Sequence, residues 1–106
     1  MNDCVFCKII KGEVPSKVEK ETKDLLVIRD INPKAPIHLL IIPKKHIQDI
    51  REDNGVIWAA AGKLAVEVAK EKKLTGFRLV HNVGDAAMIS HMHVQLLGGI
   101  SADREV

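Results

Sequence analysis

Ser90-His91-Met92-His93-Val94-Gln95-Leu96-Leu97-Gly98-Gly99 is the stretch that decides the fold. Polar and apolar residues alternate along it, the period of a β-strand whose two faces meet different surroundings. His91, His93 and Gln95 share one face, and Met92, Val94 and Leu96 share the other. Side chains two apart on a strand stand roughly 6.5–7 Å from one another. Three hydrogen-bonding groups in such a row can grip a phosphate, a metal ion, or both, whereas a solvated face is more simply built from Lys, Glu or Thr. Gly98-Gly99 then lets the backbone approach a ligand closely. The pattern predicts a strand over Ile89 to Leu97.

Working outward, Phe77 to Val83 reads as a strand joined to it by the tight connection Gly84-Asp85-Ala86-Ala87. A helix is predicted from Gly55 to Lys72, capped by Asp53 or Asn54, with the apolar stripe Ile57, Ala61, Leu64 and Val68, and stopped by Gly76. His38 to Ile42 is a mostly apolar strand ended by Pro43, preceded by the proline-punctuated loop Asp30 to Pro36. Lys17 to Glu21 and Leu25 to Arg29 form a strand pair around Lys23-Asp24, and Phe6 to Lys11 a short helix closed by Gly12. The expected architecture is α+β: a mostly antiparallel sheet of about five strands, one long helix and a short N-terminal helix, in a single domain spanning 1–106.

A chain of 106 residues buries roughly two-thirds of its unfolded surface. A net charge of +2, with no block of like charge, argues against nucleic acid and anionic membranes as partners. The aromatic residues are Phe6, Phe77 and Trp58, too few for a base-stacking platform. No apolar run approaches the ~20 residues of a membrane span. Met1-Asn2-Asp3-Cys4 lacks a basic segment followed by an apolar one, so a cytoplasmic location is expected.

In that reducing setting Cys4-x-x-Cys7 reads as two thiolates for one tetrahedral zinc. Two more ligands are required, drawn from His38, His46, His81, His91 and His93. His46 follows the stiff Pro43-Lys44-Lys45 bend and can turn toward the N-terminal helix, with one strand histidine completing the set. The alternatives are unligated reduced thiols and a redox pair; the redox motif normally follows a strand and opens a longer helix. His81 reads as a satisfied core or surface histidine.

Unprotonated imidazole is a good nucleophile at neutral pH and forms covalent phosphoryl or nucleotidyl intermediates. It must be held in one tautomer, with neighbouring donors for the non-bridging oxygens. His93, flanked on both sides, is the natural nucleophile of the row.

Taken together, Phe6-Cys7-Lys8-Ile9-Ile10, Gly12-Glu13-Val14-Pro15, Asp30 to His38, Ile42 to His46, Gly76 to Val80 and His91 to Gly99 resemble the histidine triad (HIT) superfamily of nucleotide hydrolases and transferases, in its Hint-like branch. The resemblance covers nearly the whole chain and implies a HIT-like fold paired into a homodimer whose sheet continues across the interface. It implies that a purine mononucleotide or nucleotide conjugate is bound and attacked at its α-phosphate by His93. Asp30 then matches the acceptor of the ribose hydroxyls, since a carboxylate can take both donors of a diol. Val5, Phe6, Ile9, Ile28, Ile31 and Leu40 match the apolar lining of the base pocket, Asn82 and Gln95 the phosphate or leaving-group contacts, and His38 a supporting residue. The zinc-bearing members use positions that are Cys4, Cys7, His46 and His91 in this chain.

Two features depart from that pattern. The row ends in Gln95 where the hydrolases carry a third histidine, a His-x-His-x-Gln form similar to the branch that passes nucleotidyl groups to phosphate. A glutamine amide can donate to a phosphoryl oxygen but cannot shuttle a proton. Upstream, Asp85-Ala86-Ala87-Met88 replaces a Gly-Gly-Gln-Ser stretch, and the loop from Asn82 to His91 is about two residues shorter. Two readings follow: a nucleotide hydrolase or nucleotidyltransferase, and a catalytically weakened nucleotide-binding or interaction module of the same family.

Overall fold

Leu25-Leu26-Val27-Ile28 is buried at every residue, and so is His38 through Pro43. Strands that bury both faces read as continuous apolar runs and belong in the middle of a covered sheet. The computed structural model describes residues 3–105; Met1, Asn2 and Val106, which the single-domain reading includes, lie outside the described residues. It contains α1 (Val5–Ile10), β1 (Val18–Glu21), β2 (Leu25–Arg29), β3 (Ile37–Pro43), α2 (Val56–Glu71), β4 (Phe77–Val80) and β5 (Val94–Gly98). The five strands form one antiparallel sheet in the order β1-β2-β3-β5-β4. This is the α+β architecture the sequence predicts.

Each central strand divides its side chains between two layers. Leu25, Val27, Leu39, Ile41, Val94 and Leu96 join Met92 in the cluster under α2, whose Ala61, Leu64, Ala65 and Val68 face them. Leu26, Ile28, Leu40 and Ile42 join Phe6 of α1 in a smaller cluster on the opposite face. Register places Gln95 opposite Leu40 and Val80, and therefore on the α1 face. The helix α2 begins after Gly55, whose φ of +93° suits glycine. Its first N–H groups are met by the Asp53 carboxylate, which accepts from Ile57 N at 3.1 Å and Trp58 N at 2.8 Å.

Two strands are shorter than their alternation predicts. β5 starts at Val94 rather than Ile89, and β4 ends at Val80 rather than Val83. The residues before β5 are extended but bonded differently. Met92 N donates to Ile47 O at 2.8 Å, beyond the bend that ends β3. On the other side the ring Nδ1 of His81 meets the His93 carbonyl at 3.1 Å, where a neighbouring strand would supply a backbone N–H. Gly98 and Gly99 also serve packing instead of a ligand. A Cβ on Gly98 would lie 2.6 Å from Leu74 Cδ1, and one on Gly99 3.1 Å from Pro36 Cβ.

The turn after His46 is locked by Asp49, which is buried and accepts from Arg51 Nε and N at 2.9 Å and from an Arg51 terminal nitrogen at 2.7 Å. The guanidinium holds the Asp49 carboxyl down at about 2. A carboxylate whose pKa is lowered by folding stabilises the protein above its unfolded value of about 4, and loses that contribution as pH falls toward the folded value. Asp49→Asn is therefore expected to lower stability to denaturant at neutral pH, and the gap from wild type should narrow steadily below about pH 4. A gap independent of pH would show that the charge is not what locks the turn.

Candidate functional site

The segment Ser90–Val94 brings two groups of polar side chains to the α1 face. In the first, Cys4, Cys7, His46 and His91 each aim one donor atom at a common point, all four atoms lying within 4.8 Å of one another. His91 Nδ1 is 3.2 Å from Cys4 Sγ, 3.5 Å from Cys7 Sγ and 3.0 Å from His46 Nδ1, and His46 Nδ1 is 3.2 Å from Cys7 Sγ. The Nε2–H of His91 donates to Pro43 O at 2.8 Å, so its Nδ1 lone pair faces the cluster. This is how a carbonyl orients a metal-ligating imidazole. Tetrahedral zinc with nitrogen and sulfur ligands has edges of about 3.3–3.8 Å. The separations of 3.0–3.5 Å lie at or just inside those edges, so two thiols and two imidazoles gathered here suit such an ion with a small outward movement of the donors. Burial pushes the Cys4 thiol up and the His91 imidazole down, so both are neutral without a cation.

The second group surrounds His93. Its Nδ1–H donates to the His91 carbonyl at 2.8 Å, which leaves Nε2 with a free lone pair. Burial lowers its pKa below the ordinary histidine value; the bond to His91 and the Asp30 charge oppose that shift, and nearby His81 adds to it. Phe6 lies edge-on to both imidazoles, its ring centroid 5.0 Å from that of His93 and 5.7 Å from that of His91. Two residues on, Gln95 Oε1 accepts from His38 Nε2 at 2.8 Å. The tautomer of His38 is set from behind, because Lys34 N donates to its Nδ1 at 2.9 Å. With its oxygen turned to His38, Gln95 keeps its NH2 for a ligand.

Beside this row is a cleft of about 550 Å³ lined by Val5, Ile9, Ile28, Asp30, Ile31, His38, Leu40 and Gln95 among others. All but two of the residues expected to bind a nucleotide line it. Phe6 is the first exception, being buried under the imidazoles instead of lining the cleft. Asn82 is the second and lines a neighbouring cleft of about 450 Å³ that shares Gln95 and Lys34 with the first. Asp30 Oδ1 accepts from Asn32 N at 2.8 Å, and Oδ2 is 3.4 Å from His38 Nε2. Each oxygen keeps a lone pair for a further donor. Ile31 and Met88, almost wholly exposed, stand among the lining residues.

Three contacts carry no sequence signature: the Pro43 carbonyl behind His91, the Lys34 amide behind His38, and the His81 ring on the His93 carbonyl. His81 is satisfied at both nitrogens, Ile50 N donating to its Nε2 at 3.0 Å, as the sequence reading expects.

An antiparallel sheet presenting buried histidines beside an apolar cleft defines a class of small α+β proteins, and comparison with known proteins gives the family. The model of the family described as "Scavenger mRNA decapping enzyme C-term binding" matches residues 3–99. A HIT-like protein of Methanocaldococcus jannaschii is 36% identical over 97% of this chain and 84% of its own. A structure described as a HIT family hydrolase from Clostridium thermocellum superposes with TM-score 0.90 at 41% identity, covering 100% of this chain and 98% of that one. A zinc-bound histidine triad family protein from Mycobacterium smegmatis superposes with TM-score 0.82 at 29% identity, covering 96% and 78%. The chain belongs to the histidine triad superfamily.

The hydrogen bonds assign opposite tautomers to two histidines of the site. Nitrogen-15 NMR at neutral pH should find the proton of His93 on Nδ1 and that of His38 on Nε2. The reverse tautomer at His93 would remove its free Nε2.

Proposed function

We propose that this protein cleaves a purine nucleotide conjugate at its α-phosphate through a nucleotidyl intermediate on His93. The observation that carries this reading is the Nδ1–H of His93 on the His91 carbonyl, 2.8 Å, which commits Nε2 to attack. In the first step Nε2 bonds to phosphorus, and the bond from phosphorus to the leaving group breaks with its electron pair. The cationic ring that results keeps its Nδ1–H on the carbonyl, which stabilises the charge. In the second step an oxygen of water or phosphate attacks phosphorus, the bond to Nε2 breaks with its electron pair returning to the ring, a proton of the attacking water passes to solvent, and the nucleoside mono- or diphosphate leaves. The Gln95 amide donates to a phosphoryl oxygen. Asp30 accepts from the ribose hydroxyls while the apolar residues beside it hold the base.

Gln95 has no proton to give, so the leaving group must depart without a proton from that position. This favours anions of low basicity, such as phosphates, over amines. A nucleotide phosphoramidate and a dinucleoside polyphosphate, each with and without inorganic phosphate, are the substrates to compare. Turnover of at least one is expected, with His93→Ala lowering kcat by about 10³-fold or more. Nucleotide binding without turnover, weakened by Asp30→Ala, would instead mark a binding module with lost catalysis.

Cys4, Cys7, His46 and His91 are assigned to a structural zinc, supported by their donor geometry and by the zinc-bound relative. Bound there, the ion would fix the N-terminal helix to the segment that carries His93. About one zinc per chain is expected in purified protein, with Cys7→Ala losing the metal and melting at lower temperature. Retention of zinc by that variant would refute the assignment. Homodimer formation is part of the same reading, supported by the unpaired outer edge of β4 and by the exposed Val56, Trp58 and Val66 on α2. Light scattering should give twice the chain mass. No helix among the described residues is long and apolar enough to cross a membrane.

A further inference from the structure

The cleft that holds Asn82 differs in charge from the one that holds Asp30. Lys34, Arg78 and Arg104 line it, with Glu105 the one carboxylate among its lining residues. Three cations against one carboxylate is a local excess in a chain whose net charge is only +2. Both arginines outside this cleft, Arg29 and Arg51, are paired with a carboxylate. Arg78 is different. It is half-buried on β4, opposite Leu97 and two residues from Val80, which sits opposite Gln95. No hydrogen bond or ion pair engages its guanidinium among the described residues. A second cation is drawn in by the fold, since the Arg104 guanidinium donates to the Lys34 carbonyl. The third, Lys34, reaches no anion among the described residues and bonds through Nζ to Asn32 O at 3.3 Å.

A half-buried cation without a counter-charge is costly, and a planar guanidinium is shaped for two parallel bonds to a phosphate. Gln95 and Lys34 belong to both clefts, so this one opens from the same amide that faces the reacting phosphorus. The other cleft is largely apolar; beside Asp30 it has the shared Lys34 and Arg29, the latter paired with Glu19, so among the described residues it adds no unpaired Lys or Arg of its own. We propose that Lys34, Arg78 and Arg104 form a subsite for a phosphate group beyond the α-phosphate. Its occupant is either the distal arm of a nucleoside polyphosphate or an inorganic phosphate acceptor. The proposal rests on the reading that His93 acts at an α-phosphate. It also complements Gln95: a phosphate leaving group needs no proton, but its charge must be neutralised.

Arg78→Gln, Arg78→Lys and Arg104→Gln test the subsite, the last lying on an exposed tail where substitution spares the sheet. Without added phosphate, the ratio of kcat/KM for a dinucleoside polyphosphate to that for a nucleotide phosphoramidate should fall roughly ten- to a hundredfold in Arg78→Gln. Arg78→Lys should recover part of that loss, and Arg104→Gln should shift the ratio in the same direction. Such a fall identifies the distal arm as occupant. If the ratio holds but the variants need about tenfold more phosphate to yield nucleoside diphosphate, the occupant is the acceptor. If neither changes, the subsite is refuted. Should no substrate turn over, the catalytic reading fails separately, and calorimetry with inorganic tripolyphosphate decides the subsite. Binding to wild type that is weakened by Arg78→Gln supports it, and absence of binding to wild type overturns it.

Discussion

Burial of the sheet on both faces constrains everything built on the segment from His91 to Gln95. Histidines 91 and 93 are all but excluded from water, so each ring N–H needs a protein acceptor and each imidazole is pushed toward its neutral form. The Pro43 carbonyl takes the proton of His91 on Nε2, and the His91 carbonyl takes that of His93 on Nδ1. The two rings, two residues apart, are thereby fixed in opposite tautomers. One turns Nδ1 to the cysteines, and the other keeps an unprotonated Nε2. A solvated edge strand would impose neither choice.

The same segment couples the two groups of side chains. The His91 ring faces Cys4 and Cys7, while its carbonyl holds the ring of His93. Phe6 stands between the groups, edge-on to both rings and between Cys4 and Cys7 in the chain. Any movement of the N-terminal helix therefore reaches His93 through the Phe6 ring and through the position of His91. A metal held by the first group and a ligand met by the second would therefore be mechanically joined even though they share no side chain.

Much of this was legible in the sequence because it is periodic or local. Alternation from His91 to Leu96 assigns Met92, Val94 and Leu96 to the α2 side, and the spacing of Ile57, Ala61, Leu64 and Val68 gives the helix that covers them. The Cys4-x-x-Cys7 pair and His46 after its proline bend yielded three of the four clustered donors from spacing; the resemblance named His91 as the fourth. What failed was decided by contacts between distant segments. Alternation continues back to Ile89, yet the ladder stops at Val94 because a His81 ring and the Ile47 carbonyl take the bonds of the preceding residues. Gly98 and Gly99 look like room for a ligand, but Leu74 and Pro36 fill the space. Phe6 is apolar and correctly timed for the base pocket, and only the packing of α1 shows that it lies under the imidazoles. The basic cleft draws one cation from a loop, one from β4 and one from the C-terminal tail, so no window of sequence contains it.

Gln95 illustrates how substitution at one position redistributes chemistry without disturbing the fold. A histidine there would have two ring nitrogens able to exchange a proton, whereas the glutamine amide has a fixed acceptor end and a fixed donor end. His38 occupies the acceptor end, itself oriented by the Lys34 amide, so the donor end is determined by a chain of two bonds reaching back to the proline-rich loop. The position gains a fixed amide donor and loses acid–base capacity. Chemistry that depends on a proton at that point is disfavoured, and chemistry that depends on holding negative charge is retained. In the proposed reaction the cations gathered beside the same amide would supply what a proton would otherwise provide, neutralisation of the departing group.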